Sequence, residues 1–180
     1  DCLLSRGLGD VYKRQKQNII LIGMPGAGKS SVGVILAKVL GYEFIDTDLV
    51  IQHREKRLLR EIIADEGNEG FLAIENEVNA TLEADKSVIA PGGSAIYGKE
   101  AMEHFKEIGT IVYLKLSYED LAKRLGNLKG RGVVLKEGQT LKDLYDERSK
   151  LYEQYAEITV DESGKDIQGT ILALREQIGM

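Results

Sequence analysis

Gly23-Met24-Pro25-Gly26-Ala27-Gly28-Lys29-Ser30 is the stretch on which the fold turns. It fits G-x-x-x-x-G-K-[ST], follows an apolar run at Asn18–Ile22 and opens an apolar-periodic segment at Lys29–Leu40. In that strand-to-helix setting the glycines let backbone N–H groups turn inward around phosphate oxygens, and the helix adds its positive N-terminal end. Lys29 is then placed to reach the β and γ phosphates, and the Ser30 hydroxyl to meet Mg2+. Gly23, Gly26, Ala27, Gly28, Lys29, Ser30 and Ser31 are therefore the candidate nucleotide-binding residues, with ATP and Mg2+ as the expected ligands.

On either side of this turn, apolar runs of strand character alternate with helical spacing, the pattern of a parallel α/β sheet. Five strands are predicted: Asn18–Ile22, Glu43–Asp46, Ser87–Ala90, Thr110–Leu116 and Ile158–Val160. Helices are predicted over Lys29–Leu40, Tyr118–Leu125, Leu141–Tyr155 and Lys165–Ile178, and two more over Leu58–Leu82, broken around Gly67–Gly70. There is no internal repeat or low-complexity tract. The basic, glycine-rich stretch 126–139 lies between two helices and reads as an exposed loop or as a mobile lid.

The first fifteen residues read unlike the rest. Ser5–Gln15, SRGLGDVYKRQ, is the conceptual translation of a sequencing adapter ending in a transposase mosaic end. Residues 1–15 are therefore expected to be a non-native, disordered leader, with residues 16–180 forming one domain. No apolar segment long enough for a signal peptide or a membrane span is present. The only cysteine, Cys2, falls in that leader, so no disulfide framework or thiolate metal site is expected in the body, and a cytoplasmic setting fits. The chain carries a net charge of −5, and the leader contributes three basic against two acidic residues. An acidic balance argues against nucleic acid as a partner, and nothing in it suggests a membrane. A monomer acting on a small molecule is expected. His53 and His104 lack a third ligand at metal-site spacing and read as surface residues.

Residues beyond the loop decide the class of nucleotide-binding protein. A GTPase needs a base-reading N-K-x-D, which the sequence lacks. Instead Phe44-Ile45-Asp46-Thr47-Asp48 sets two carboxylates at the carboxyl end of the second predicted strand, where open α/β sheets bind ligands. One carboxylate can hold a metal ion through water while the other accepts a proton from an attacking hydroxyl. The same residues also suit a helix N-cap, with Asp48 as the capping side chain.

Several motifs in order resemble the shikimate kinase family over nearly the whole body. Phe44–Asp48 resembles its D-x-D, which implies Asp46 near Mg2+ and Asp48 on the substrate hydroxyl. Glu66–Val78, EGNEGFLAIENEV, resembles its G-E-x-x-F-R-x-x-E segment, and Ala90–Ala95, APGGSA, its glycine-rich substrate loop, with Gly92 and Gly93 in place. In LAKRLGNLKGRG, Arg124 matches an arginine that stacks on adenine and Arg131 a lid arginine that closes on the phosphates. In ERSKLYEQYAE, Arg148 matches an arginine that grips the substrate carboxylate. The resemblance implies a P-loop kinase fold, a three-layer α/β/α sandwich with a parallel sheet in the order 2-3-1-4-5 and a lid. It also implies ATP-dependent phosphorylation of shikimate to shikimate 3-phosphate, with Lys29, Asp48 and Arg131 catalytic. Arg124 and Arg148 also fall in predicted helices, where an exposed salt bridge is the usual fate.

Three segments depart from that pattern. Leu72 follows Phe71 where the family has an arginine, so a carboxylate clamp loses one bidentate fork. Pro91 precedes the glycine pair and Ser94 replaces its third glycine, while the lid reads Arg131-Gly132-Val133 where the family usually has a proline after the arginine. A sister kinase acting on homoserine, gluconate or another hydroxy acid remains the alternative. A nucleotide-binding regulator without phosphoryl transfer fits less well, because Lys29, Asp48 and Arg131 are all present.

Overall fold

The computed structural model describes residues 17–126 and 135–180. The expected leader over residues 1–15 and the lid arginine Arg131 lie outside the described residues, as does the middle of the expected lid.

Strands β1 (Asn18–Ile22), β2 (Glu43–Asp46), β3 (Ser87–Ala90), β4 (Gly109–Lys115) and β5 (Ile158–Asp161) form one parallel sheet in the order β2-β3-β1-β4-β5, as expected. Helix α1 (Lys29–Leu40) follows β1, and α2 (Thr47–Glu55) and α3 (Leu59–Ala80) follow β2. Helix α4 (Lys99–Ile108) follows β3, α5 (Tyr118–Gly126) and α6 (Leu141–Tyr155) follow β4, and α7 (Ile167–Ile178) follows β5.

The two-residue period of the strands explains the layering. In β1, Ile20 and Ile22 point to one face, where Phe105 of α4 and Tyr152 of α6 cover them. Ile19 and Leu21 point to the other, against Leu36 of α1 and Leu174 of α7. A sheet whose alternate residues are apolar on both sides must be covered twice, which gives the α/β/α sandwich. Helices α2 and α3 carry a small core of their own from Ile51, Ile62, Phe71 and Val78. At the sheet edge away from the carboxyl ends, buried Asn18 donates to the Ala84 and Ile108 carbonyls at 2.9 and 3.0 Å and accepts from the Ser87 N–H at 2.9 Å. These three bonds satisfy its buried amide and tie three segments together.

Two helices lie where the sequence predicts none. Helix α4 buries Ala101, Met102 and Phe105, a short stripe at helical spacing set among charged residues. Helix α2 forms separately from α3, and its cap is Asp46 rather than Asp48: the Asp46 carboxylate accepts from the Asp48 N–H at 3.0 Å. The expected break in the Leu58–Leu82 segment falls at Gly67, with φ 72° and ψ 177°, inside α3. Strand β4 runs one residue earlier than expected because Gly109 pairs with Asn18, and β5 runs one residue longer. His104 is half-buried rather than exposed, its Nε2 2.6 Å from the Leu82 carbonyl oxygen.

Candidate active site

The loop between β1 and α1 has the geometry its glycines predict. Gly26 and Gly28 have φ of 90° and 83°, in the left-handed region that side chains avoid, and Gly28 caps α1 from there. Lys29 is buried at the first position of α1, and its Nζ donates to the carbonyls of Gly23 and Met24 at 2.7 and 3.0 Å. Burial holds the ammonium down to about 8, partly offset by the Asp48 carboxylate. Ala27 is buried under the loop, while Ser30 and Ser31 are exposed at the helix start and line the cleft. Arg124 of α5 donates to the Gly26 carbonyl at 3.1 Å, which sets its guanidinium against the loop.

The opposite wall of the same cleft, whose volume is about 810 Å³, is made by α2, α3, α6 and the loop after β3. Asp48 projects from the first turn of α2, and burial raises its carboxyl to about 6, helped by Asp46 and opposed by Lys29. At Gly92 a β-carbon would lie 2.8 Å from Asp48 Oδ1 and 2.9 Å from Glu75 Oε2. At Gly93 it would meet Pro25 at 2.8 Å and Arg148 at 3.0 Å, so both glycines leave room for side chains converging on the cleft. The Tyr152 hydroxyl donates to the Gly93 carbonyl at 2.7 Å and its ring stacks on Tyr113 at 5.1 Å, which fixes that loop against α6.

Arg148 is 8% exposed, its guanidinium 5.6 Å from the Tyr97 ring centre and its Nε without a hydrogen-bond partner among the described residues. Leu144, Arg148 and Tyr152 recur every four residues, so α6 turns all three inward. No carboxylate of the described residues lies within ion-pair distance of Arg148. The exposed-salt-bridge reading of Arg148 is thus set aside: the guanidinium is buried and lines the cleft.

The structure therefore brings Gly26, Gly28, Lys29, Ser30, Ser31, Asp46, Asp48, Gly92, Gly93, Arg124 and Arg148 to one cleft. Gly23 and Ala27 lie in the loop behind it. Two further carboxylates have no role in the sequence reading, although Glu75 stands at the last position of the G-E-x-x-F-R-x-x-E pattern. Glu75 of α3 is 1% exposed, and burial pushes its carboxyl up to about 7 despite a hydrogen bond from Ser94. Its signal is available in the sequence: Phe71, Glu75 and Val78 share the buried phase of α3, and a carboxylate in that phase is out of place unless it serves a site. Glu162, just after β5, is also buried and raised to about 7 by burial, against the pull of Arg124 and Lys29. Asp46 and Ser30 both line the cleft and offer hard oxygen donors, the donor type that fits Mg2+.

A phosphate loop facing, across one cleft, the Asp48 carboxylate and a buried arginine with no carboxylate partner among the described residues has the layout of a P-loop kinase for a small acceptor. A family model described as shikimate kinase matches residues 25–178. The chain is 34% identical to shikimate kinase 2 of Yersinia enterocolitica over 154 residues, covering 81% of this chain and 86% of that one. It is 35% identical to the shikimate kinase of Chlorobium phaeovibrioides over 177 residues, covering 92% and 89%. The solved shikimate kinase from Acinetobacter baumannii in complex with shikimate superposes with a TM-score of 0.75 at 33% identity, covering 92% of each chain. The chain belongs to the shikimate kinase family.

Proposed function

We propose that this chain transfers the γ-phosphoryl group of ATP to a hydroxyl of shikimate, giving shikimate 3-phosphate, as a cytoplasmic monomer. The observation that carries the reading is the pairing, in one cleft, of the Lys29 phosphate cradle with Asp48 and the buried Arg148. In this reading Arg148 takes the acceptor carboxylate and Asp48, ionised at neutral pH, takes the proton of the attacking hydroxyl. Lys29 leaves the Gly23 and Met24 carbonyls for the phosphates, and Arg124 packs on the adenine ring. Arg131 carries the lid charge that the family motif assigns to it. Ser30 and Asp46 would hold Mg2+, which neutralises charge on the β and γ phosphates.

The test is ADP release at fixed ATP and Mg2+ across shikimate, homoserine and gluconate. Shikimate-dependent turnover is expected. No turnover with shikimate beside robust turnover with homoserine would defeat the reading. The second outcome has one observation in its favour: Leu72 lines the cleft where the family pattern has an arginine, so the acceptor end holds less positive charge.

A further inference from the structure

Three arginines gather where α2 gives way to α3, and they differ in what holds them. Arg54 pairs with Glu77 at 3.0 Å. Arg57 pairs with Asp65, Glu66 and Glu55 at 3.1, 3.4 and 3.6 Å. Arg60, exposed in the first turn of α3, forms no ion pair with any described residue. Its surroundings explain why. One turn further along α3, where a helical arginine would need an acid, stand Ile63 and Ala64, while Lys56 and Arg57 precede it with like charge. The adjacent acid, Glu61, caps the helix instead, accepting from the Leu58 N–H at 2.7 Å.

Of the three, Arg60 is also the one that lines the cleft. The break at Gly67 lets both halves of α3 face that space, with Arg60 and Ile63 before it and Phe71 and Leu72 after it. Leu72 gives the second half no cation, so the positive charge that α3 brings to the acceptor side is Arg60. Other cations of the cleft are placed differently: Lys29 and Arg124 donate to carbonyls of the phosphate loop, and Arg148 reaches in from α6. A guanidinium beside like charges and without an anion gains by meeting one, and its long apolar stem lets the head move to do so.

We propose that Arg60 is a specificity-determining residue for the acceptor: its guanidinium turns onto the acceptor carboxylate, shares it with Arg148, and supplies from the first turn of α3 the charge that Leu72 does not. It selects small acids over their uncharged counterparts. The role rests on the acceptor reading given above and deepens it. Because Arg60 is exposed, the contact is worth less than a buried fork.

Steady-state kinetics on shikimate and on its carboxamide, which keeps the shape and loses the charge, test the role. Turnover of shikimate by the unchanged chain is read first; its absence defeats the acceptor reading, and this role of Arg60 with it. Given turnover, Arg60→Ala is expected to raise the KM for shikimate about fivefold, the scale of an exposed ion pair. The kcat and the KM for ATP should stay within about twofold, a change too small to signal a lost contact in the phosphate loop. Arg60→Lys, which keeps the charge without the fork, should recover part of the loss. On the carboxamide, Arg60→Ala and the unchanged chain should show the same KM. Leu72→Arg, added to Arg60→Ala, should bring the KM for shikimate back down by returning a guanidinium to the same wall. Arg54→Ala, which removes a paired arginine of the same neck, should leave the KM unchanged. An unaltered KM in Arg60→Ala, equal losses on acid and amide, a fall confined to kcat, or an equal loss in Arg54→Ala would each overturn the role while leaving the acceptor reading in place.

Discussion

Lys29 and Leu72 are the two residues at which chemistry and recognition part. The Lys29 ammonium is buried and donates to two loop carbonyls. Lys29→Met keeps the aliphatic stem and removes the charge, so the fold should persist while phosphoryl transfer falls by about two orders of magnitude or more. Near-normal turnover in a folded Lys29→Met protein would remove the lysine from the mechanism. Leu72→Arg works in the other direction. It returns a fork to the acceptor carboxylate and should lower the KM for shikimate by an amount equivalent to about 1–3 kcal/mol, while raising that for ammonium-bearing homoserine.

At the scale of elements, α3 is the most instructive. Gly67 sits within it at a φ and ψ that essentially only glycine adopts, and a β-carbon there would touch nothing within 4 Å. Gly67→Ala should therefore cost about 1–3 kcal/mol from backbone strain alone, measurable by denaturant unfolding. A neutral result would mean that α3 straightens through the site. The break was legible in the sequence because glycines 67 and 70 interrupt an otherwise helical spacing. So were the phosphate loop, β1, α1 and β2, whose geometry is dictated by residues within a few positions of one another. Helix α4 was not, since its apolar stripe is short and its many charges mask the period. The environment of Glu75 was still less accessible: its neighbours Ser94, Asp48 and Gly92 come from other elements and meet it only through tertiary packing. Arg148 could be placed by resemblance, yet its burial and missing partner emerge only in three dimensions.

For the whole molecule, the cleft and the buried residues behind it concentrate groups whose ionisation is held away from its ordinary range. Glu75 and Glu162 are raised to about 7 and Asp48 to about 6, while Lys29 is lowered to about 8. For the carboxyls the unfolded chain releases its protons first as pH rises, so their contribution to stability is complete below the ordinary carboxylate range. It is lost as pH climbs through about 7. For Lys29 the unfolded chain keeps its proton longer, so stability is regained only above about 8. The ligand-free protein should thus gain from Glu75→Gln more at pH 7.5 than at pH 5, by up to about 1.4 kcal/mol per pH unit between the unfolded and folded values. Thermal unfolding of both proteins across that range checks it, and a pH-independent difference would show that Glu75 does not titrate in the window. The strand order has a consequence for how the chain is made. β1 is synthesised first among the strands but lies at the centre of the sheet, where Ile19 pairs with Val88 on one side and Ile20 with Ile111 on the other. Until the ribosome has delivered β3 and then β4, the run Asn-Ile-Ile-Leu-Ile has no neighbour on either edge. It is a short, uncharged, β-forming segment of the kind that seeds aggregates. A strand fully buried in the finished enzyme is therefore the one that a nascent chain must shield longest.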